Sequence, residues 1–197
     1  MAKTRATRAA STGATFERTS GSAAETLALG EALGQALQAG DVLALHGELG
    51  SGKTTLIQGI ARGLGLAPEQ VKSPTFVLMR EYPGALPLIH VDAYRLDHPD
   101  AAWSFDTELF FSRRKVTVVE WAERIAQILP ECALTLTLEH VTTNRRRITA
   151  CANGPRGDVV LSAWRQAPTV VEPSSGQAAA EMQPEAPEVL ADDVPGD

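Results

Sequence analysis

The sequence predicts an α/β domain in which three layers surround a central, largely parallel sheet with mixed edges. Three observations lead there. Short apolar runs without polar alternation, such as 41–46 and 115–121, alternate with segments whose apolar residues recur at helical spacing. A glycine-rich stretch, "GELGSGKTTL" (47–56), joins one such strand to one such helix. Composition also changes abruptly at both ends, which confines the domain to residues 16–166 of the 197.

The ends differ in sign. Residues 1–15 carry three basic residues and no acidic ones among Ala, Ser, Thr and Gly. Residues 167–197 carry seven acidic residues, no basic ones, and many of the prolines. Neither end has enough apolar surface to offset chain entropy, so both are expected to be disordered tails. The formal charge of the chain is −6; without +3 at the head and −7 at the tail, −2 remains on 16–166. A core so close to neutral lacks the basic field of a chain that grips nucleic acid directly. No apolar run approaches the roughly 18 residues of a membrane helix, and the N-terminus lacks the apolar centre of a secretory signal. A cytoplasmic location and no membrane contact are expected. Cys132 and Cys151 stand in apolar or strand-like contexts without metal-ligand spacing and read as reduced thiols.

The elements follow in order. Residues 24–40 place apolar side chains at helical spacing and stop at Gly40. Residues 41–46, "DVLALH", read as a buried strand, and 53–66 as a helix closing with glycines. Two strands are expected at 75–82 and 86–92, with Pro83-Gly84 as the turn between them. A helix is expected over 98–111, a core strand over 115–121, and a helix over 122–130 that ends at proline. "ALTLTLEHV" (133–141) and "RRRITACANG" (145–154) read as two paired strands, whereas "DVVLSAW" (158–164) fits either state. No internal repeat is present.

The stretch at 47 fits G-x-x-x-x-G-K-[ST], with Gly47, Gly52, Lys53 and Thr54 at the defining positions. Its place after an apolar strand and before a helix is what phosphate binding requires. Glycines let backbone N–H groups turn inward around phosphate oxygens, and the helix N-terminus adds unpaired donors and partial positive charge. The backbone from Gly47 through Glu48, Leu49, Gly50, Ser51 and Gly52 to Lys53, Thr54 and Thr55 is therefore expected to cradle a nucleotide. Lys53 is expected to reach the β- and γ-phosphates and Thr54 to ligate Mg²⁺. The domain thus reads as P-loop NTPase-like. No N/T-K-x-D guanine motif appears, so ATP is the expected nucleotide.

Such a loop needs a carboxylate nearby. Asp92 ends "PLIHVD" and Glu120 ends "KVTVVE", so both are expected at the sheet edge that carries the loop. Spacing alone leaves open which one serves the metal. "KSPTF" (72–76) puts Ser73 and Thr75 on either side of a rigid proline, between the loop's helix and the next strand. It reads equally as a nucleotide-sensing switch or a plain turn.

"LHGELGSGKTTL", "VKSPTFVLMREY", "HVDAYRL" and "VVEWAERI" follow one another as they do in bacterial TsaE, formerly called YjeE, and the resemblance runs from about Ala24 to Gly154. It implies a small, Mg²⁺-dependent ATPase that works with TsaD and TsaB; slow turnover alone is expected from the residues, because Arg95 and Arg146 are the candidates for a cation that offsets charge on the transferred phosphoryl group and spacing places neither. That complex forms N6-threonylcarbamoyladenosine at position 37 of tRNAs reading codons that start with A, and tRNA is reached through the partners. By the resemblance, Lys53 matches the phosphate lysine and Thr54 the Mg²⁺ hydroxyl. Glu120 matches the metal-associated glutamate, Asp92 an aspartate that positions water or supports the metal indirectly, and Ser73 and Thr75 the switch. Arg146 matches an arginine that approaches the nucleotide. Trp121 fits either a place near the base or the core, and core is the expectation. The segment 97–111 departs from the family pattern in lacking a Leu-Gly step. Two other functions use the same loop: a small-molecule kinase, and an assembly module in which ATP occupancy rather than hydrolysis matters.

Overall fold

The computed structural model describes residues 13–96 and 107–167. Seven strands form one sheet: β1 (Thr15–Ser20), β2 (Val42–His46), β3 (Met79–Tyr82), β4 (Leu88–Asp92), β5 (Val116–Glu120), β6 (Leu134–His140) and β7 (Arg146–Ala152). Their order is β1-β7-β6-β2-β5-β4-β3. The centre, β6-β2-β5-β4, is parallel, and the pairs β6–β7, β1–β7 and β3–β4 are antiparallel. This is the largely parallel, mixed-edge sheet that the alternating pattern predicts.

Helices α1 (Ala23–Gly34), α2 (Lys53–Gly63) and α4 (Gly154–Gln166) bury their apolar sides on one face of the sheet. The other face carries a smaller apolar cluster with Phe110 of the short α3 (Thr107–Phe110) and Ala122 and Ile125 of a single 3₁₀ turn. β2 and β5 are buried along nearly their whole length, as a strand covered on both faces must be.

Helices α1 and α2 meet at backbone contact. Gly30 and Gly34 on α1 face Gly59 and Gly63 on α2, and a Cβ at any of the four would run into main-chain atoms of the other helix. The helix that begins with Lys53 is thereby held rigidly against α1. At the start of α1, Ser22 accepts the Glu25 N–H while Glu25 reaches back to the Gly21 N–H at 2.6 Å, a reciprocal cap. Arg156 closes the far end of the sheet with two hydrogen bonds to Asp41, at 2.8 and 2.5 Å.

Several elements differ from the sequence expectation. Thr15 opens an edge strand that pairs with β7, a partner more than a hundred residues away, so the strand begins one residue inside the expected tail. The strand expected at 75–82 is confined to Met79–Tyr82, because 73–78 are drawn into a turn. The helix expected at 122–130 is one 3₁₀ turn, Ala122–Ile125. Residues 158–164 lie in α4, which buries Gly157, Val160, Leu161 and Trp164 at helical spacing. Most of the helix expected at 98–111 lies outside the described residues; 107–110 are helical.

Candidate functional site

β2 delivers the chain to Gly47, and α2 takes it away from Lys53. Gly47 has φ +138°, and a Cβ there would overlap the Leu138 carbonyl oxygen and lie 2.9 Å from Ser51 Oγ. Gly52, the residue before α2, has φ +101° and would press a Cβ to 3.0 Å from Arg146 Nε. Both positions therefore admit only glycine without strain. Leu49, Gly50, Gly52, Lys53, Thr54 and Thr55 line one wall of a cleft of about 340 Å³. Gly47, Glu48 and Ser51 complete the loop behind that wall.

Lys53 is 4% exposed. Its ammonium donates to the carbonyls of Gly47 at 2.7 Å and Glu48 at 2.9 Å, and lies 4.1 Å from the centre of the Trp121 ring. Burial pushes its pKa below the ordinary 10.5, and the carboxylates of Glu120, Glu123 and Asp92 oppose that shift. The result is a cation in a half-dry pocket with carbonyl dipoles and an indole face around it, where an anion interacts more strongly than in water.

β4 and β5 set the two carboxylates side by side, with Asp92 in register with Glu120. Their surroundings differ. Glu120 Oε1 accepts the Thr54 hydroxyl at 3.0 Å and lies 2.9 Å from His90 Nε2. Asp92 Oδ2 accepts the hydroxyls of Ser73 and of Thr75, the latter at 2.6 Å, and its Oδ1 accepts the Tyr94 N–H at 3.0 Å. Glu120 is thus joined to the first turn of α2, and Asp92 to the "KSPTF" segment. That segment is no ordinary turn into a strand. It leaves Phe76 84% and Val77 59% exposed and ends at Leu78 with φ +66°.

The remaining predicted residues also find places. Arg146 heads β7 and packs against Gly52, beside the loop and outside the cleft lining. Arg95 is exposed and stacks on Phe76, 4.3 Å from the ring centre. Trp121 differs from expectation. It packs partly on the smaller core cluster, but its left-handed backbone (φ +57°) swings the indole into the cleft wall over Lys53, with Tyr94 at 5.0 Å. Two histidines had no assigned role in the sequence: His90, bonded to Glu120, and His46, 2.9 Å from Glu123. The signal for His90 was its place two residues before Asp92, which puts both on one face of a strand.

Two observations bear on whether phosphate and Mg²⁺ would fit these residues. Ser51 Oγ is buried with no hydrogen-bond partner among the described residues, inside a glycine turn where a Cβ at Gly47 would stand 2.9 Å from it. Thr54 and Glu120 stand together beside Lys53, an oxygen pair suited to a hard cation whose remaining ligands are waters and phosphates. Among the described residues no cluster of three or more His, Cys, Asp or Glu could hold a metal. Mg²⁺ in phosphate sites does not require one.

Residues 20–148 match the family model of TsaE, the threonylcarbamoyl adenosine biosynthesis protein. This chain belongs to the TsaE family. The tRNA threonylcarbamoyladenosine biosynthesis protein TsaE of Treponema pallidum is 38% identical over 128 residues, which is 65% of this chain and 94% of that protein. The Bacillus subtilis protein of the same name is 38% identical over 137 residues, 69% of this chain and 85% of its own length. The crystal structure of Bacillus subtilis YdiB superposes with a TM-score of 0.67 at 30% identity, covering 79% of this chain and 97% of that one. TsaE membership ties this chain to threonylcarbamoyladenosine biosynthesis. Among the described residues no helix is long and apolar enough to cross a membrane.

Proposed function

We propose that the protein binds and hydrolyses Mg²⁺-ATP and, through TsaD and TsaB partners, drives formation of N6-threonylcarbamoyladenosine at position 37 of tRNAs that read codons starting with A. The observation that carries this reading is the Thr54–Glu120 hydrogen bond at the mouth of a glycine loop whose lysine is buried, in a chain of the TsaE family.

Each residue has a defined task in it. The loop from Gly47 to Thr55 wraps the phosphates with backbone N–H groups. Lys53 binds the terminal phosphates, and the Trp121 face holds its ammonium in the cleft. Thr54 and Glu120 hold Mg²⁺, which when bound neutralises phosphate charge and favours loss of the terminal phosphoryl group. Asp92 orients the attacking water and ties it to the state of Ser73 and Thr75. Arg146 flanks the nucleotide beside Gly52. The exposed Arg95 is held on the Phe76 ring, and among the described residues lining the cleft Lys53 is the one buried cation, so turnover by the isolated chain is slow and is completed by partners. The protein acts in the cytoplasm, and tRNA is held by those partners.

Calorimetric titration with ATP in the presence and absence of Mg²⁺ tests the reading. Binding in the low-micromolar range or tighter is expected, with slow ADP release that needs no acceptor. Wild-type affinity in Lys53→Ala would sink it. ADP formation only with an added small-molecule acceptor would favour a kinase.

A further inference from the structure

We propose that His90 is a positioning residue for this reaction, its Nε2–H holding the Glu120 carboxylate in the orientation that serves the metal beside Thr54. The inference rests on the Mg²⁺-ATP reading above. His90 is fully buried in the middle of β4, and Glu120 is 3% exposed at the end of β5. Leu88, His90 and Asp92 share one face of β4, and Val118 and Glu120 share the matching face of β5. Below the imidazole lie the apolar Leu88 and Val118; above it stand the two carboxylates. The ring is the boundary between core and site.

The hydrogen bond fixes its tautomer. Glu120 Oε1 is a carboxylate oxygen and accepts, so the proton lies on His90 Nε2, 2.9 Å away. Nδ1 is buried with no partner among the described residues, and a proton there would have no acceptor among them. Glu120 Oε1 takes a second hydrogen bond, from Thr54, at 3.0 Å. Two donors on Oε1 hold the carboxylate of Glu120, which lines the cleft, in one orientation. A histidine kept only to fill the core would need no donor in that place, since an apolar side chain would fill it without stranding Nδ1.

The full-length protein labelled with ¹⁵N-histidine gives the first test. Two-bond ¹H–¹⁵N correlations should show His90 as the Nε2–H form, and Glu120→Gln should shift its ring nitrogens. The second test titrates Mn²⁺ into the ATP complex by electron paramagnetic resonance. His90→Leu should weaken Mn²⁺ binding about 10- to 100-fold while ATP affinity in EDTA stays within about twofold, and His90→Gln, which restores an N–H at the same place, should return to within about threefold of wild type. If His90→Leu does not fold, the His90→Gln titration and the tautomer decide. An Nδ1–H tautomer, wild-type Mn²⁺ affinity in folded His90→Leu, or a His90→Gln titration that shows no recovery overturns this inference alone. Failure of the wild-type protein to bind Mn²⁺-ATP overturns the nucleotide reading with it.

Discussion

Gly59→Ala is the most direct probe of how α2 is held. A Cβ at Gly59 would overlap the Leu27 carbonyl oxygen, and would lie 2.8 Å from Gly30 Cα and 2.9 Å from the Leu27 carbonyl carbon. Non-bonded carbons rest at about 3.5–4.0 Å, so α1 and α2 must part by roughly 0.7 Å or more. All three neighbours are backbone, and no rotamer change relieves the clash. Overpacking of this kind costs about 1–3 kcal/mol, and the upper end applies when main chain must move. Alanine's better helix propensity returns about 1 kcal/mol. The net expectation is a loss of about 2 kcal/mol, or a fall in Tm of about 4–8 °C for a domain of this size. Gly21→Ala is the control. Its nearest neighbour is the flexible Glu25 side chain at 3.4 Å, so stability should change by less than about 0.5 kcal/mol. Thermal unfolding followed by circular dichroism reads both. A Gly59→Ala protein as stable as wild type, or more so, would refute the close contact, because helix propensity alone would then be deciding the result. ATP affinity should fall together with Tm, since α2 carries Lys53 and Thr54.

The two carboxylates should separate in solution. Glu120→Gln is expected to raise the Mg²⁺ concentration needed for turnover, because the amide keeps the Thr54 contact but loses the charge. Asp92→Asn is expected to leave Mg²⁺-ATP binding within a few-fold while turnover falls and residues 73–78 exchange amide hydrogens faster; the reverse pattern would exchange the roles. Lys53 sets a pH dependence. Its pKa in the fold lies below 10.5, so between that lowered value and 10.5 the unfolded chain binds the proton more tightly, and this group's contribution to stability rises with pH. ATP affinity should move the other way across titrations from about pH 7.5 to 10, and Lys53→Arg, which stays charged, should flatten the fall.

Local rules made the centre of the fold legible. β2, the loop and α2 could be read because the strand is apolar nearly throughout and the glycine–lysine spacing marks a turn from strand to helix. β1 could not, because "TFERTS" alternates with charges and is a strand only by pairing with β7 across the chain. Pro155 stands in the first turn of α4, where proline suits, and Val159-Val160-Leu161 imitates a strand until Trp164 is seen to bury with Val160 and Leu161. Gly63 reads as part of the glycine close of α2, but it faces α1 at backbone contact, as Gly59 does, which only the partner surface reveals. In the site, Lys53 and Thr54 could be placed from the loop spacing before a helix, and Asp92 and Glu120 from the ends of apolar strands. What Asp92 grips was not, since its bonds to Ser73 and Thr75 depend on how 73–78 fold back. Nor was Trp121, whose place in the cleft follows from a left-handed backbone that no propensity predicts.

ATP turnover at this loop is proposed to serve tRNA modification. The most direct measurement combines the protein with TsaD and TsaB from the same organism, tRNA, ATP and the threonylcarbamoyl donor, and counts modified adenosines per complex. Repeated turnovers are expected only when this protein and hydrolysable ATP are both present, and Lys53→Ala should behave as if the protein were left out. Equal turnover without it, or with Lys53→Ala in its place, would contradict the account.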